Sequence, residues 1–455
     1  MSRGPYFVAA VTVAAHVVFV VSGRMFPHDL NLAYVGVPEL SRALDHGAWL
    51  ECWRALRMPG GWYNLVLAAW MRLTGPGPVA FGVPAAGWVG LTAVAAGALG
   101  RALNPEDGGR EGLAASALVA SLPGVVVLAR GNWIHLPEAA LFLTAGAFLA
   151  RDPRLERVVT APLVGVCGAL VAALRPSGLG WLALLVVAVL VSGAWRRVAR
   201  FGTMAFIWAI GASVSAPGLV GYLTGKAGVR ERYAMEVPPL PFQLLVNFGW
   251  VGIGLVTVGL VGARLGRLWG KGVLAVILGG GMLAPLVVSV VSRAGIDNFP
   301  VFAVVSGTIA GVGLARWRVG TAAVLLTWIV GTALRLHEDL TADPDPAPPR
   351  VLALLDSTCP QTPSAALPRE TGCRVAADPS LFSPAAEEPG RLELFLLGRP
   401  EVEVHPAGMR APVPPDAIAT WECPGPRRRT EIPPGFTESW SGPIEGCTYR
   451  WFTRP

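Results

Sequence analysis

Asp29 places a carboxylate just past the end of the first apolar run and opens a long loop rich in tryptophan and acidic residues. A carboxylate so placed can take or orient a proton, and a polytopic chain rarely builds such a loop unless the loop does chemistry. Arginine supplies the complementary chemistry, a planar fork for an anionic group. It recurs at junctions between apolar runs: Arg130-Gly131-Asn132-Trp133-Ile134-His135, Arg175-Pro176-Ser177 and Ser292-Arg293-Ala294-Gly295-Ile296-Asp297. Glu138 follows closely behind His135, and the longer stretch from Lys226 to Tyr233 carries Arg230, Arg232 and Tyr233.

These groups need elements to bring them to one surface. A chain of 455 residues with a mean hydropathy of +0.51 and 15% charged residues has more apolar side chains than one soluble core can use. The fold class it implies is an all-α polytopic membrane protein carrying a small C-terminal extracytoplasmic domain, α/β or β-rich. Apolar runs of roughly the length that a bilayer core demands fall near 6–22, 79–100, 112–129, 136–150, 159–174, 178–194, 202–224, 242–262, 272–291, 299–315 and 320–335, about eleven in all.

Topology follows from the short loops. With the N-terminus inside, the inner turns hold Arg101 and Arg110, then Arg151, Arg154 and Arg157, then Arg196, Arg197 and Arg200, then Arg264, Arg267 and Lys271, then Arg316 and Arg318. That alternation fits the positive-inside rule. The first run has no small-residue cleavage site before Arg24 and Pro27, so it reads as a retained span and not a signal peptide. Lysine occurs only at Lys226 and Lys271, and arginine supplies the rest of the basic total. That bias is typical of GC-rich bacterial genomes, and the isoelectric point near 9.4 therefore reports topology and no nucleic-acid partner.

An odd number of spans puts the tail outside. The transmembrane domain is expected over 1–336, a Pro-rich linker over 337–350 and the extracytoplasmic domain over 351–455. Cys359, Cys373, Cys423 and Cys447 all lie in that tail, which fits two disulfides with three open pairings; zinc fits less well without a close C-x-x-C pair. Val351–Leu355 and Leu392–Leu397 read as strands. Between the first two spans, the outer loop 24–78 holds two stretches with amphipathic spacing, Pro38–Gly47 and Gly61–Thr74, the second bearing Trp62 and Trp70. Both read as juxtamembrane helices at the interface, where aromatic rings are favoured.

This arrangement resembles the GT-C superfamily of membrane glycosyltransferases, in particular the polyprenyl-phosphate-sugar-dependent branch with the protein mannosyltransferases and aminoarabinose transferases. Pro27-His28-Asp29 followed by Tyr34 is similar to the family's acidic motif after the first span, and Met58-Pro59-Gly60-Gly61-Trp62-Tyr63 to its Pro-x-x-Tyr-like segment. Gly82-Val83-Pro84-Ala85 and Gly100-Arg101-Ala102-Leu103 are similar to the continuation. The family commonly has Asp-Glu where this chain has Asp29-Leu30, and an acidic residue before proline where it has Leu136-Pro137, with Glu138 next.

The resemblance implies an enzyme that moves a sugar from a polyprenyl-phosphate donor to a lipid, glycan or protein acceptor, among membrane lipids. Asp29 would be the base. His28, Tyr34, Tyr63, Arg130, Asn132, His135, Glu138, Arg175, Arg230, Arg232, Tyr233 and Arg293 would form the substrate site, with arginines on the phosphate and 226–233 as the mobile outer loop. No metal ligands are assigned and no cofactor is certain, although a divalent metal is possible.

Plainer readings stand beside these. Arginines at span ends also snorkel to headgroups, an aspartate can cap a helix, and His16 inside the first span fits a buried hydrogen bond better than a relay. The stretches Gly221–Lys226 and Gly266–Lys271 have three residues where a phosphate loop needs four, and no H-E-x-x-H helix is present. From other classes, the competing readings are a transporter or lipid flippase and a catalytically inactive scaffold of the same fold.

Overall fold

A segment inside lipid must satisfy its own backbone groups, so long apolar runs fold as helices. The computed structural model describes residues 3–22, 40, 44, 47, 49–56, 60–74, 78–103, 109–131, 134–175, 177–223, 240–263, 272–292, 295–341, 373–377, 402–406, 416–422, 432–444 and 447–454. In chain order the helices are α1 (Gly4–Val21), α2 (Trp49–Ala55), α3 (Gly61–Thr74), α4 (Pro78–Leu103), α5 (Gly109–Ser121), α6 (Pro123–Arg130) and α7 (His135–Arg151). They continue as α8 (Thr160–Leu174), α9 (Gly178–Val191), α10 (Val198–Leu223), α11 (Leu240–Ala263), α12 (Gly280–Ser292), α13 (Gly295–Ala315) and α14 (Arg318–Thr341). A π-helical turn, Ala275–Gly279, leads into α12.

The apolar runs read from the sequence are helical; the run at 272–291 is shared between the π-helical turn and α12, and one other differs in shape. The run at 112–129 is two helices, α5 and α6, bent by 59°. Pro123 explains the break, since its ring would clash with the carbonyl four residues back and it has no N–H to donate. That carbonyl, of Val119, instead accepts the Leu122 N–H at 3.2 Å. By length and composition, five of the described helices can cross a membrane, or six with the bent pair counted as one span. Four more apolar helices are shorter. The protein is a multi-pass membrane protein.

The chain divides into two compact units. One comprises Met1–Ser22, Leu56–Tyr63 and Gly82–Ala342, and the other Gly23–Ala55, Asn64–Phe81 and Asp343–Pro455. In the first, α5 and α13 lie at the centre of one group: α13 packs on α5, α7, α11, α12 and α14, and α5 also on α1 and α14. Small residues make this possible, because a Cβ on Gly311 of α13 would come 2.5 Å from the Ala115 Cα of α5. The second group forms around α8, which packs on α7, α9 and α10. There Gly168 leaves room for the indole of Trp208, which donates to the Val164 carbonyl at 3.2 Å.

The turn from α7 to α8 is built on one carboxylate. Asp152 accepts the N–H groups of Glu156 at 2.7 Å and Arg157 at 2.8 Å, and the Thr160 hydroxyl at 2.7 Å. Between them Leu155 is fully buried with φ +53°, and Arg200 of α10 donates to the carbonyls of Leu155 and Glu156.

In the second unit α2 is helical, as is Asn64–Thr74 of α3, the helix that covers the stretch expected from Gly61 to Thr74. Of Pro38–Gly47, only residues 40, 44 and 47 are described. The tail forms a mixed sheet from β1 (Cys373–Ala377), β2 (Val402–Pro406), β3 (Ala417–Glu422), β4 (Thr437–Ile444) and β5 (Cys447–Thr453), in the order β2-β1-β3-β5-β4. The β1–β2 and β1–β3 pairs are parallel, and β3–β5 and β4–β5 antiparallel. Its core includes Ala417, Ile418, Ala419 and Trp451. The strands expected at 351–355 and 392–397 lie outside the described residues, as do Cys359, Cys423 and the side chains of Cys373 and Cys447. Cys52 and Cys167 are buried, unpaired thiols. Residues 337–341, read from the sequence as the start of the linker, continue α14.

Candidate functional site

Where α8 ends and α9 begins, Arg175 sits between the helices in extended backbone, φ −167° and ψ 164°. Pro176 favours that conformation in the residue before it. The extended step turns the arginine side chain inward, so that Arg175 is only 9% exposed. Its target is Glu138 in the first turn of α7, where a carboxylate is favoured by the helix dipole. Arg175 Nη2 donates to Glu138 Oε2 at 2.8 Å, and Nε lies 3.1 Å from Oε2 and 3.2 Å from Oε1.

The same turn brings further donors to that carboxylate. The Trp181 indole, one turn into α9, donates to Oε1 at 3.0 Å, and the Ser177 hydroxyl to the same oxygen at 3.4 Å. Glu138 is wholly buried. His135 Nδ1 stands 3.6 Å from Oε2, just beyond hydrogen-bond range. A buried ion pair is tolerated when added hydrogen bonds satisfy its remaining lone pairs, which Trp181 and Ser177 do here.

A second pair joins α6 to α14 at the same end of the bundle. Arg130 Nη2 lies 2.6 Å from Asp339 Oδ2, and the Arg130 guanidinium stacks 4.2 Å from the centre of the Phe19 ring near the end of α1. One turn before Asp339, Arg335 donates to the Gly331 carbonyl at 2.9 Å and to the Ser121 carbonyl at 3.4 Å. Asp339 is 2% exposed.

A third set of contacts reaches the end of α8. The Gly60 N–H donates to the Leu174 carbonyl at 2.6 Å and the Trp62 indole to the Leu170 carbonyl at 2.9 Å. Helix C-termini leave their last carbonyls, that of Leu174 among them, without an intrahelical donor, so Gly60 caps the turn that delivers Arg175 while Trp62 binds it one turn earlier. Trp62, Tyr63 and Trp88 pack edge to face, with centroids 5.8–6.1 Å apart. Tyr63 is almost wholly buried in that cluster.

Of the residues singled out from the sequence, the structure brings His135, Glu138 and Arg175 into one cluster, packs Tyr63 against Trp62 and Trp88, and pairs Arg130 apart from them with Asp339. Asp29, His28, Tyr34, Asn132, Arg230, Arg232, Tyr233 and Arg293 lie outside the described residues. Arg130 and Arg175, for which lipid anchoring was one reading, both turn inward to carboxylates. His16 behaves as expected, bonding the Gly82 carbonyl at 3.4 Å. Sequence reading missed Trp181, Arg335 and Asp339, and had Ser177 only as part of the Arg175-Pro176-Ser177 junction. The spacing of four between Arg335 and Asp339 was the available signal, since it continues one helix face beyond the apolar run. Among the described residues no group of three His, Cys, Asp or Glu side chains gathers as a metal site.

No protein-family model and no curated protein matches the chain. Solved structures do. ArnT from Cupriavidus metallidurans in the apo state is similar over 92% of this chain and 93% of its own, at 12% identity and a TM-score of 0.54. The same protein bound to undecaprenyl phosphate is similar over 93% and 94%, at 14% identity and a TM-score of 0.57. The Archaeoglobus fulgidus oligosaccharyltransferase in the apo form is similar over 83% of this chain and 63% of its own, at 12% identity and a TM-score of 0.50. Identities this low speak to architecture alone: the chain shares the fold of ArnT nearly end to end.

Proposed function

We propose that this protein is an integral membrane glycosyltransferase that moves a sugar from a polyprenyl-phosphate donor to an acceptor on the outer face of a bacterial inner membrane. The observation that carries the reading is the likeness to ArnT in its undecaprenyl-phosphate-bound form, which spans more than nine-tenths of both chains. The positive-inside pattern supports an inner N-terminus, an outer loop at 24–78 and an outer tail.

In the reaction, the acceptor hydroxyl or amine attacks the anomeric carbon of the donor. The bond from that carbon to the phosphate oxygen breaks, its electron pair stays on the departing polyprenyl phosphate, and the acceptor proton passes to a carboxylate. Asp29 is our choice for that base. A phosphate ester is already a good leaving group, so the protein's second task is to offer fixed positive charge where the phosphate gathers negative charge. Arg175 is suited to this, held in one orientation at the helix junction. The tail and the 226–233 loop are our candidates for acceptor recognition and cover of the site.

Transfer from a pool of polyprenyl-phosphate sugars in membranes, with the parent and Asp29→Asn at matched expression, tests the reading. Removal of a general base should cost about 10²- to 10⁴-fold in rate. Unchanged transfer would displace Asp29 as base, and absence of transfer by the parent across a panel of donors would overturn the function. Labelling of Arg151→Cys from outside intact cells would overturn the assignment of faces.

A further inference from the structure

Glu138 presents a choice between two kinds of chemistry. A carboxylate beside a glycosyl-transfer site can take the acceptor's proton, or it can hold another group in place. A base must come within hydrogen-bond reach of the proton it takes, directly or through one water. The Glu138 carboxylate is wholly buried, and its oxygens are covered by Arg175 Nε and Nη2, the Trp181 indole and the Ser177 hydroxyl.

Arg175, by contrast, is constrained from every side that matters for aim. Its backbone is fixed in extended form before Pro176. The helix turn leading into it is bound by Gly60 and Trp62. The guanidinium plane is set by two of its nitrogens on one carboxylate, a geometry that lysine cannot reproduce. A cation so fixed stabilises developing negative charge without having to reorganise.

We propose that Glu138 is a positioning residue, which acts through Arg175 on the phosphate of the lipid donor, and that it does not take the acceptor's proton. The inference rests on the glycosyltransferase reading above and deepens it. It also gives Gly60 and Trp62 a defined task, because they brace the helix turn that leads into the same arginine.

The test uses the full chain in detergent, titrated with undecaprenyl phosphate and, as the neutral control, undecaprenol. The proteins are the parent, Glu138→Gln, Arg175→Gln and the double variant, followed by donor KM, kcat and the pH profile of kcat. If Glu138 acts through Arg175, Glu138→Gln weakens undecaprenyl-phosphate binding about tenfold, and the double variant binds no worse than Arg175→Gln. Donor KM rises and the acid limb of the kcat profile stays where it is. Should Glu138→Gln not fold, Glu138→Asp makes the same distinction, with weaker phosphate binding and an unmoved acid limb expected. Unchanged phosphate binding with collapsed kcat and a lost acid limb would make Glu138 the base and overturn the inference while leaving the glycosyltransferase reading intact. A parent that binds neither ligand, or both equally, would overturn the inference too. If that parent also transfers no sugar, the reading of function fails with it.

Discussion

The two ends of α7 each carry a buried carboxylate, and they use it differently. At the C-terminal end, Asp152 accepts two backbone N–H groups and a hydroxyl, all from residues within eight positions of it. At the N-terminal end, Glu138 accepts from side chains 37 to 43 positions away, one of them charged. The first arrangement closes a turn, and any acceptor of the right shape there would serve. The second fixes a cation between helices, where a charge is costly to bury without a task. Partner identity, more than burial, separates the acid that closes a local turn from the acid that joins helices in this chain.

The comparison can be broken most forcefully by removing the cation. Arg175→Ala leaves the Glu138 carboxylate buried without its cation and should destabilise the folded protein by about 3–5 kcal/mol, read as a fall in thermal unfolding temperature in detergent. Pairing Arg175→Met with Glu138→Leu should return most of that stability and none of the sugar transfer, whereas recovery of transfer would show the pair to be purely structural.

A smaller effect is expected at the other end. Asp152→Ala should cost about 2–3 kcal/mol through the lost hydrogen bonds to a charged acceptor, with kcat unchanged below the unfolding range. Burial opposes the charge on Asp152, but the Arg157 N–H, the Thr160 hydroxyl and the Glu156 N–H outweigh it, and they hold the carboxyl below the ordinary carboxylate range. A group lowered in the folded state adds stability that is complete above its unfolded value and disappears as pH falls through the folded one. Acid unfolding should therefore narrow the gap between parent and Asp152→Asn, and a gap that widened on acidification would refute the assignment. Smallest of all, Trp62→Phe removes one donor from the end of α8 and keeps a ring, for about 1 kcal/mol by the same unfolding measurement.

The same contrast explains what the sequence revealed. The bilayer demands long apolar runs, so the helices could be read one by one, and the Asp152 turn was within reach of local inspection. The Glu138–Arg175 pair was legible only as two candidates near helix ends, because their meeting depends on how α7, α8 and α9 pack. The bend at Pro123 was hidden inside a continuous apolar run, which hydropathy alone cannot divide. The linker boundary was drawn where apolarity ended, yet α14 carries on to Thr341 because Arg335 and Asp339 find polar partners on neighbouring helices.

The glycines of α13 have a consequence for motion. A Cβ on Gly313 would lie 1.8 Å from the Gly259 carbonyl oxygen of α11, and one on Gly311 would lie 2.5 Å from the Ala115 Cα of α5. On these two flanks α13 touches its neighbours main chain to main chain, with no side chain between to yield. Interfaces packed this closely move between discrete arrangements and do not deform smoothly. A motion that slid α13 past α5 or α11 would have to carry main chain past main chain, so it would come as a step between two packings and not as a gradual drift.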